Sequence, residues 1–334
     1  MGGFTRLLIG LGLLGGLVLG SGAWWLHSPI TLTLPAGNVV LDLEIEPGMR
    51  AAQVAEVIVA SGADVNVQLL QLWFRLSGQA RQIKAGSYEI TLGATPRSLL
   101  SMVVRGDQAL KSITLVEGWS FNQMRAALQK AELLAQDSTG LQPEMIMEKL
   151  GKPGIHPEGR FFPDTYSYAK GSSDLAVLKR ATKAMDKRLD AAWALRSADT
   201  PLKSPTDALV LASIVEKETG KSADRAQIAG VFTNRLRINM RLQTDPSVIY
   251  GLGDAFDGNL RKRDLLIDTP YNTYTRAGLP PTPIAMPGKA ALLAAVQPAP
   301  TNAFYFVAKG DGSSYFSVTL DEHNRAVNKY IRGQ

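Results

Sequence analysis

The chain has no cysteine, which excludes disulfide bonds, thiolate metal ligands and a cysteine nucleophile. Histidine is almost as scarce. His27, His156 and His323 lie far apart and form no HExxH-type pair, which argues against a histidine-built metal site or a Ser-His-Asp triad. No motif calls for a metal or an organic cofactor. Charge is sparse at 20%, and 36 Lys+Arg against 30 Asp+Glu leave a net charge of +6. No basic run exceeds Arg261-Lys262-Arg263, so nucleic acid is not an expected partner. Beyond the first 26 residues nothing approaches 18 consecutive apolar residues, which excludes a polytopic membrane protein. An apolar content of 45% excludes wholesale disorder. At about 150 residues per domain, 334 residues suffice for two domains.

One long apolar run is present. Leu7–Leu26 carries no charge over 20 residues and matches the roughly 30 Å core of a bilayer. Arg6 precedes it, and Trp24 and Trp25 close it where aromatic belts sit. The positive-inside rule places residues 1–6 in the cytoplasm, a single anchor over 7–27, and the body on the periplasmic side of the plasma (inner) membrane. Ser21-Gly22-Ala23 resembles a signal-peptide cleavage site, but the apolar run continues past it, which favours a retained anchor. Six glycines in the run argue against a buried core helix.

Residues 28–38 read as an exit linker. Alternation at Val39, Leu41, Leu43 and Ile45 predicts a strand. A helix follows over Ala51–Ala60, then a second, capped by Asn66, to Leu76. Ser87–Thr91 predicts another strand, and Pro96 opens a short helix. The β-α-α-β order over 39–91 resembles a LysM module, so residues 28–110 are expected to form a small LysM-like domain. The strand–glycine–helix pattern of IEPGMRAAQVAEVI (45–58) returns in LVEGWSFNQMRAAL (115–128), a weak repeat within a linking segment over 111–157. The polar stretch 132–158 reads as a hinge or helical lid. Residues 158–334 form the remaining mixed α+β domain. Long helices are expected over Leu175–Leu195, Ala208–Thr219 and Ala223–Asn239. A loop-rich stretch then leads to two strands at Phe304–Ala308 and Tyr315–Val318 and a closing helix over His323–Arg332.

Chemistry concentrates around Leu209–Gly220. At 100° per residue, Leu211, Ile214 and Val215 define an apolar stripe, and Glu218 falls about 20° from Leu211, inside it. Glu216 falls about 140° away, so the two glutamates do not face each other. A carboxyl on an apolar face is either a structural glutamate, paired with Arg235 or Arg237, or a general acid whose pKa is raised by desolvation. The polar stretch after it holds Gln243, Asp245, Tyr271, Asn272 and Tyr274 among prolines and glycines. That mixture suits a carbohydrate groove, where aromatic faces pack on sugar rings and amides bond hydroxyls. It suits an ordinary packed loop equally.

Taken together, EGRFFPDTY (158–166), ASIVEKET (212–219), FTNRLRINMRLQTDPSVIYG (232–251), TPYNTYTRAGLPPTPIAMPG (269–288) and FYFVAKGDGSSYF (304–316) with His323-Asn324 resemble the endolytic murein transglycosylases of the MltG (YceG-like) family. The resemblance implies a carbon–oxygen lyase, class EC 4.2.2.-, that cuts the MurNAc–GlcNAc β-1,4 bond of nascent peptidoglycan. The cut leaves 1,6-anhydro-MurNAc ends and terminates glycan chains. The resemblance places the catalytic role on Glu218. Within its motifs, Gln243, Tyr271, Asn272 and Tyr274 are the expected sugar contacts, Asn272 directed at an N-acetyl group or the migrating proton, and Asp245 is expected to organise the groove or stabilise developing charge at the sugar. Penicillin-binding protein synthases are its implied partners. The alternatives are a muramidase that hydrolyses the same bond, with Asp245 as a second carboxylate, and a membrane-anchored scaffold that binds glycan without cutting it.

Overall fold

The computed structural model describes residues 16–17, 20–34 and 40–333. Most of the expected anchor over 7–27 lies outside the described residues; within it, 16–17 and 20–27 are helical. Among the described residues no helix is long and apolar enough to cross a membrane. The chain divides into two compact units, Met1–Lys111 and Ser112–Gln334.

The first unit contains β1 (Thr31–Leu32), β2 (Val40–Ile45), α1 (Ala51–Ala60), β3 (Ala63–Asp64), α2 (Val67–Leu76), β4 (Gly86–Thr91) and α3 (Pro96–Arg105). β2 and β4 pair antiparallel, from Val40 opposite Thr91 to Ile45 opposite Gly86. The two-residue period turns Leu41, Leu43 and Ile45 inward and leaves Asp42 and Glu44 outside. Val54 and Ile58 of α1, Leu70 and Phe74 of α2, and Leu99 and Val103 of α3 complete the core. The Asn66 side chain caps α2, accepting from the backbone N–H groups of Gln68 and Leu69 at 3.0 Å each. The two strands and two helices expected over 39–91 form within 40–91, with the short strand β3 between the helices. The linker reading of 28–38 needs correction over its described part, 28–34, where Ile30 is buried and Thr31–Leu32 pairs with Ala63–Asp64; residues 35–38 lie outside the described residues. Two residues are too few to show a strand period in the sequence.

β5 (Leu110–Thr114) begins at the boundary between the units. α4 (Phe121–Gln129), α5 (Pro143–Lys149), β6 (Thr165–Ala169), α6 (Asp174–Ala194), α7 (Pro205–Glu218), α8 (Ser222–Arg237), α9 (Asp245–Leu252), α10 (Lys289–Val296), β7 (Tyr305–Ala308), β8 (Ser314–Ser317) and α11 (Leu320–Val327) follow. The class is mixed α+β, with β5 beside β6 and β7 beside β8. α7 is the centre of this unit. Every residue from Ala208 to Val215 is buried, in a cluster shared with α6, α8 and α10. The helix is therefore enclosed on all sides, where the spacing had suggested a single stripe; a helix apolar all round is a buried one. Its one buried hydroxyl is satisfied twice: Ser213 donates to the Val210 carbonyl at 2.7 Å and accepts from Ile284 N–H at 3.0 Å.

Of the expected linking segment, residues 112–157 belong to the second unit, and the stretch expected as a hinge or lid, 132–158, is packed there. Phe121 stacks on Phe161 at 5.3 Å, and Leu134, Ile146 and Met147 are buried with Val177 and Leu178. Its polar look comes from exposed turns around a few widely spaced apolar anchors. Two helices, α9 and α10, form inside the stretch expected to be loop.

Candidate active site

α7 stops abruptly at Glu218, because Thr219 turns extended at φ −147°, ψ 132°. The carboxyl therefore sits at the negative end of the helix dipole, which disfavours its ionised form. It is part-buried, and the Thr244 hydroxyl donates to its Oε1. Burial pushes the carboxyl from 4.5 up to about 7, against the Thr244 hydrogen bond, which pulls it down. The Asp245 charge raises it further and the Arg235 charge lowers it. Neither arginine proposed as a structural partner is paired with it. Arg237 binds Asp199 at 2.5 Å. Buried Arg235 donates at 2.6 Å to the carbonyls of both Leu242 and Phe304, and lies 5.2 Å over the Tyr305 ring. Its role is to hold the loop that carries Thr244. Glu216 points elsewhere, accepting from Gly288 N–H at 2.9 Å and meeting Arg225 at 3.5 Å.

The loop opposite Glu218 is tightly specified. Gln243 is exposed and has φ +50°, an uncommon backbone for a residue with a side chain. Its N–H donates to the Thr273 carbonyl at 3.1 Å, while Thr244 N–H donates to the Thr273 hydroxyl at 3.0 Å. Thr244 stands at the N-cap of α9, yet its hydroxyl caps nothing there. That cap is ordinarily worth about 1 kcal/mol; here the hydroxyl serves Glu218 instead. Asp245 opens α9 and is exposed, with the Tyr274 hydroxyl donating to it at 2.5 Å. Burial, and then the Asp245 carboxylate, push the Tyr274 phenol well above its usual range.

Two of the expected site residues, Asp245 and Tyr274, lie within electrostatic reach of Glu218. Asp245 and Tyr274 form one bonded pair, and Gln243 adjoins Thr244. Tyr271 stands to one side, its hydroxyl 2.8 Å from Thr282 Oγ1 and its ring edge-on to Tyr250 at 4.8 Å. Asn272 has a different job from the one expected. It is fully buried, donates to the carbonyls of Leu265 and Ile267 at 3.0 and 2.6 Å, and accepts from Tyr274 N–H at 2.8 Å. Every polar atom of the side chain is used to shape the loop, and none is left for an N-acetyl group. Close approach also matters at Gly251. A Cβ there would lie 2.5 Å from Thr269 Oγ1 and 3.1 Å from Tyr271 Cβ.

Two residues with no role assigned from sequence belong to this account. Thr244 is one. Glu158 is the other: 3% exposed, it accepts from Phe121 N–H at 3.0 Å and from the Tyr250 hydroxyl at 3.1 Å. Burial pushes it from 4.5 to about 7 despite those bonds. The signal for Thr244 was Thr-Asp-Pro, a helix-start pattern. Nothing local marks Glu158 as buried. Among the described residues no group of three or more His, Asp or Glu is placed to hold a metal. Glu218 and Glu158 can both hold a proton near neutrality, and of the two Glu218 is the one that meets the Thr244–Asp245 loop.

The profile of the YceG-like family matches residues 43–329. A Bacillus subtilis (strain 168) protein named endolytic murein transglycosylase is 32% identical over 313 residues, covering 88% of this chain and 86% of its own. A protein of the same name from Streptococcus pneumoniae (strain D39) is 28% identical over 286 residues, 75% of this chain and 51% of that one. The crystal structure of a yceG-like protein from Listeria monocytogenes superposes with a TM-score of 0.54 at 28% identity, covering 86% of this chain and 98% of that chain.

Proposed function

The chain belongs to the YceG-like family, and from that premise we infer that it is an endolytic murein transglycosylase. It cuts the MurNAc–GlcNAc β-1,4 bond within nascent peptidoglycan strands and leaves 1,6-anhydro-MurNAc ends. The carrying observation is Glu218: a carboxyl at the end of a buried helix, free of any ion pair with Arg235 or Arg237, with its pKa pushed to about 7.

A single such group suffices for the chemistry. Glu218 donates its proton to the glycosidic oxygen as the bond to C1 breaks. The sugar passes through an oxocarbenium-like state. Glu218, now a carboxylate, takes the proton of the MurNAc C6 hydroxyl as that oxygen closes on C1. The proton count returns to its start, and no water is consumed. Thr244 orients the carboxyl through both halves. Asp245, held by Tyr274, supplies the nearby negative charge that favours the cationic sugar. Gln243 is a sugar contact, its side chain on the exposed side of a constrained loop.

Three further features complete the proposal. Residues 7–27 anchor the chain in the plasma membrane with the body outside the cytoplasm. The β-α-α-β unit is LysM-like and engages glycan. The polymerising penicillin-binding proteins supply the nascent strand.

The test is a digestion of uncrosslinked glycan strands by the full chain, beside Glu218→Gln, with the new ends read by mass spectrometry. Anhydro ends from the wild type and none from the variant are expected. Reducing ends would instead make the protein a muramidase, with Asp245 as the second carboxylate. Intact glycan bound by folded wild-type protein would leave the scaffold reading.

A further inference from the structure

α2 carries more apolar surface than its core needs. Leu70 and Phe74 face the interior and are fully buried. At 100° per residue, Leu69, Leu72, Trp73 and Leu76 make a second stripe about 100° wide, separate from the first. That stripe is open to solvent: Leu69 is 46% exposed, Leu72 42% and Leu76 71%. It forms one wall of a groove of about 720 Å³ whose other wall is Ser21–Leu26. Trp24, on that second wall, is 74% exposed. Contiguous exposed apolar patches of this kind mark interaction sites.

We propose that this surface seats the small unit on a lipid bilayer, with the Leu69–Leu72–Leu76 stripe and Trp24 lying in the interfacial zone of the outer leaflet. The proposal rests on the reading of residues 7–27 as an anchor. Two observations select lipid as the occupant. The groove wall Ser21–Leu26 is the last part of the apolar run that begins at Leu7, so the patch lies where that run would leave the membrane. Arginine also flanks the stripe, and Glu56, which accepts from Gln71 at 3.1 Å, is the acidic side chain beside it. Arg50 and Arg75 line a neighbouring pocket that shares Leu72 with the groove, where anionic headgroups would meet them. Glu44 and Glu89 stand on the outer face of the β2–β4 sheet, away from the helices. An amphipathic helix with an apolar stripe flanked by arginine is the general form of an in-plane membrane helix, and tryptophan favours the same depth.

The lack of cysteine makes the test direct. Single variants Leu76→Cys, Leu72→Cys, Glu89→Cys and Leu13→Cys of the full chain are labelled with an environment-sensitive dye and reconstituted in phosphatidylglycerol-containing vesicles. Quenchers are placed on lipid headgroups, on acyl-chain ends, or in the water as iodide. Labels at 72 and 76 are expected to shift to the blue, to be quenched from the headgroup position and to be shielded from iodide. The label at 89 stays open to iodide, and the label at 13 is quenched from the acyl ends. Iodide access at 72 and 76 with a deep label at 13 overturns the docking and leaves the anchor. Iodide access at 13, 72 and 76 together overturns both. Labels at 72 and 76 shielded from iodide but untouched by lipid quenchers mean that protein covers the stripe, which also overturns the proposal.

Discussion

Replacing Glu218 with glutamine tests the central electrostatic claim while keeping the side chain's shape. Burial lifts this carboxyl from 4.5 to about 7, so the folded protein holds the proton more tightly than the unfolded chain does. Below pH 4.5 both states are protonated and no penalty exists. Between pH 4.5 and about 7 the unfolded chain releases its proton first, and stability falls with rising pH by up to about 1.4 kcal/mol per pH unit. Above about pH 7 the loss levels off at ~3 kcal/mol, an upper figure because the side chain keeps some contact with water. Glutamine does not titrate. The variant should match the wild type near pH 4 and exceed it at pH 8 by up to ~3 kcal/mol, with lytic activity gone. For a unit of about two hundred residues, 1 kcal/mol moves the melting temperature by about 2–4 °C. Scanning calorimetry should therefore show a gap of several degrees at pH 8 that closes on acidification. Equal melting at pH 8, or a gap that widens in acid, would refute the reasoning. Equal melting means that the carboxylate is solvated as well in the fold as in the open chain, and a gap that widens in acid means that the fold favours the charged form.

Three other changes have distinct outcomes. Thr244→Val removes a hydrogen bond that lowers the Glu218 pKa; the alkaline fall in kcat should move to higher pH while the maximal rate drops. Because the hydroxyl does not cap α9, melting should change by less than the roughly 1 kcal/mol of an ordinary N-cap loss. Asn272→Ala strands the carbonyls of Leu265 and Ile267 and the N–H of Tyr274, and urea unfolding should register a loss of about 3 kcal/mol. Gly251→Ala forces a methyl against Thr269 and Tyr271, and kcat/KM should fall roughly 10- to 100-fold through misplacement of the loop, with circular dichroism unchanged.

The elements that were legible in the sequence are those with both a period and an end signal. α2 had Asn66 before it, α3 had Pro96 at its start, and β2 alternated cleanly. α9 was hidden by Asp245-Pro246, because a residue before proline ordinarily avoids the helical region. Proline is nonetheless welcome in a first turn, where its missing N–H has no partner to lose. α10, KAALLAAV, has no polar face to reveal a period, because it is buried against α7. Glu218 was singled out from a stripe that proved to be a whole enclosed helix, and it stands where that enclosure ends. Asn272 misled because a loop amide aimed at backbone carbonyls reads the same as one aimed at a ligand. Glu158 stood in a recognised motif, yet its burial depends on Phe121 and Tyr250, 37 and 92 residues away.

The enclosure of α7 divides the site by lifetime. Amides from Leu211 to Val215 lie at the centre of the largest unit's core, so they should exchange with solvent only when that unit opens as a whole. The loops facing Glu218 are tied by a few side chains, chiefly Arg235, Asn272 and Thr273, and such ties release locally. Warming should then silence the protein well below its melting point. Glu218 would remain in place on an intact scaffold while Thr244 and Tyr274 drift out of reach. Heat tolerance of the activity is thus a property of two loops, and a substitution that strengthens the core would leave it unchanged.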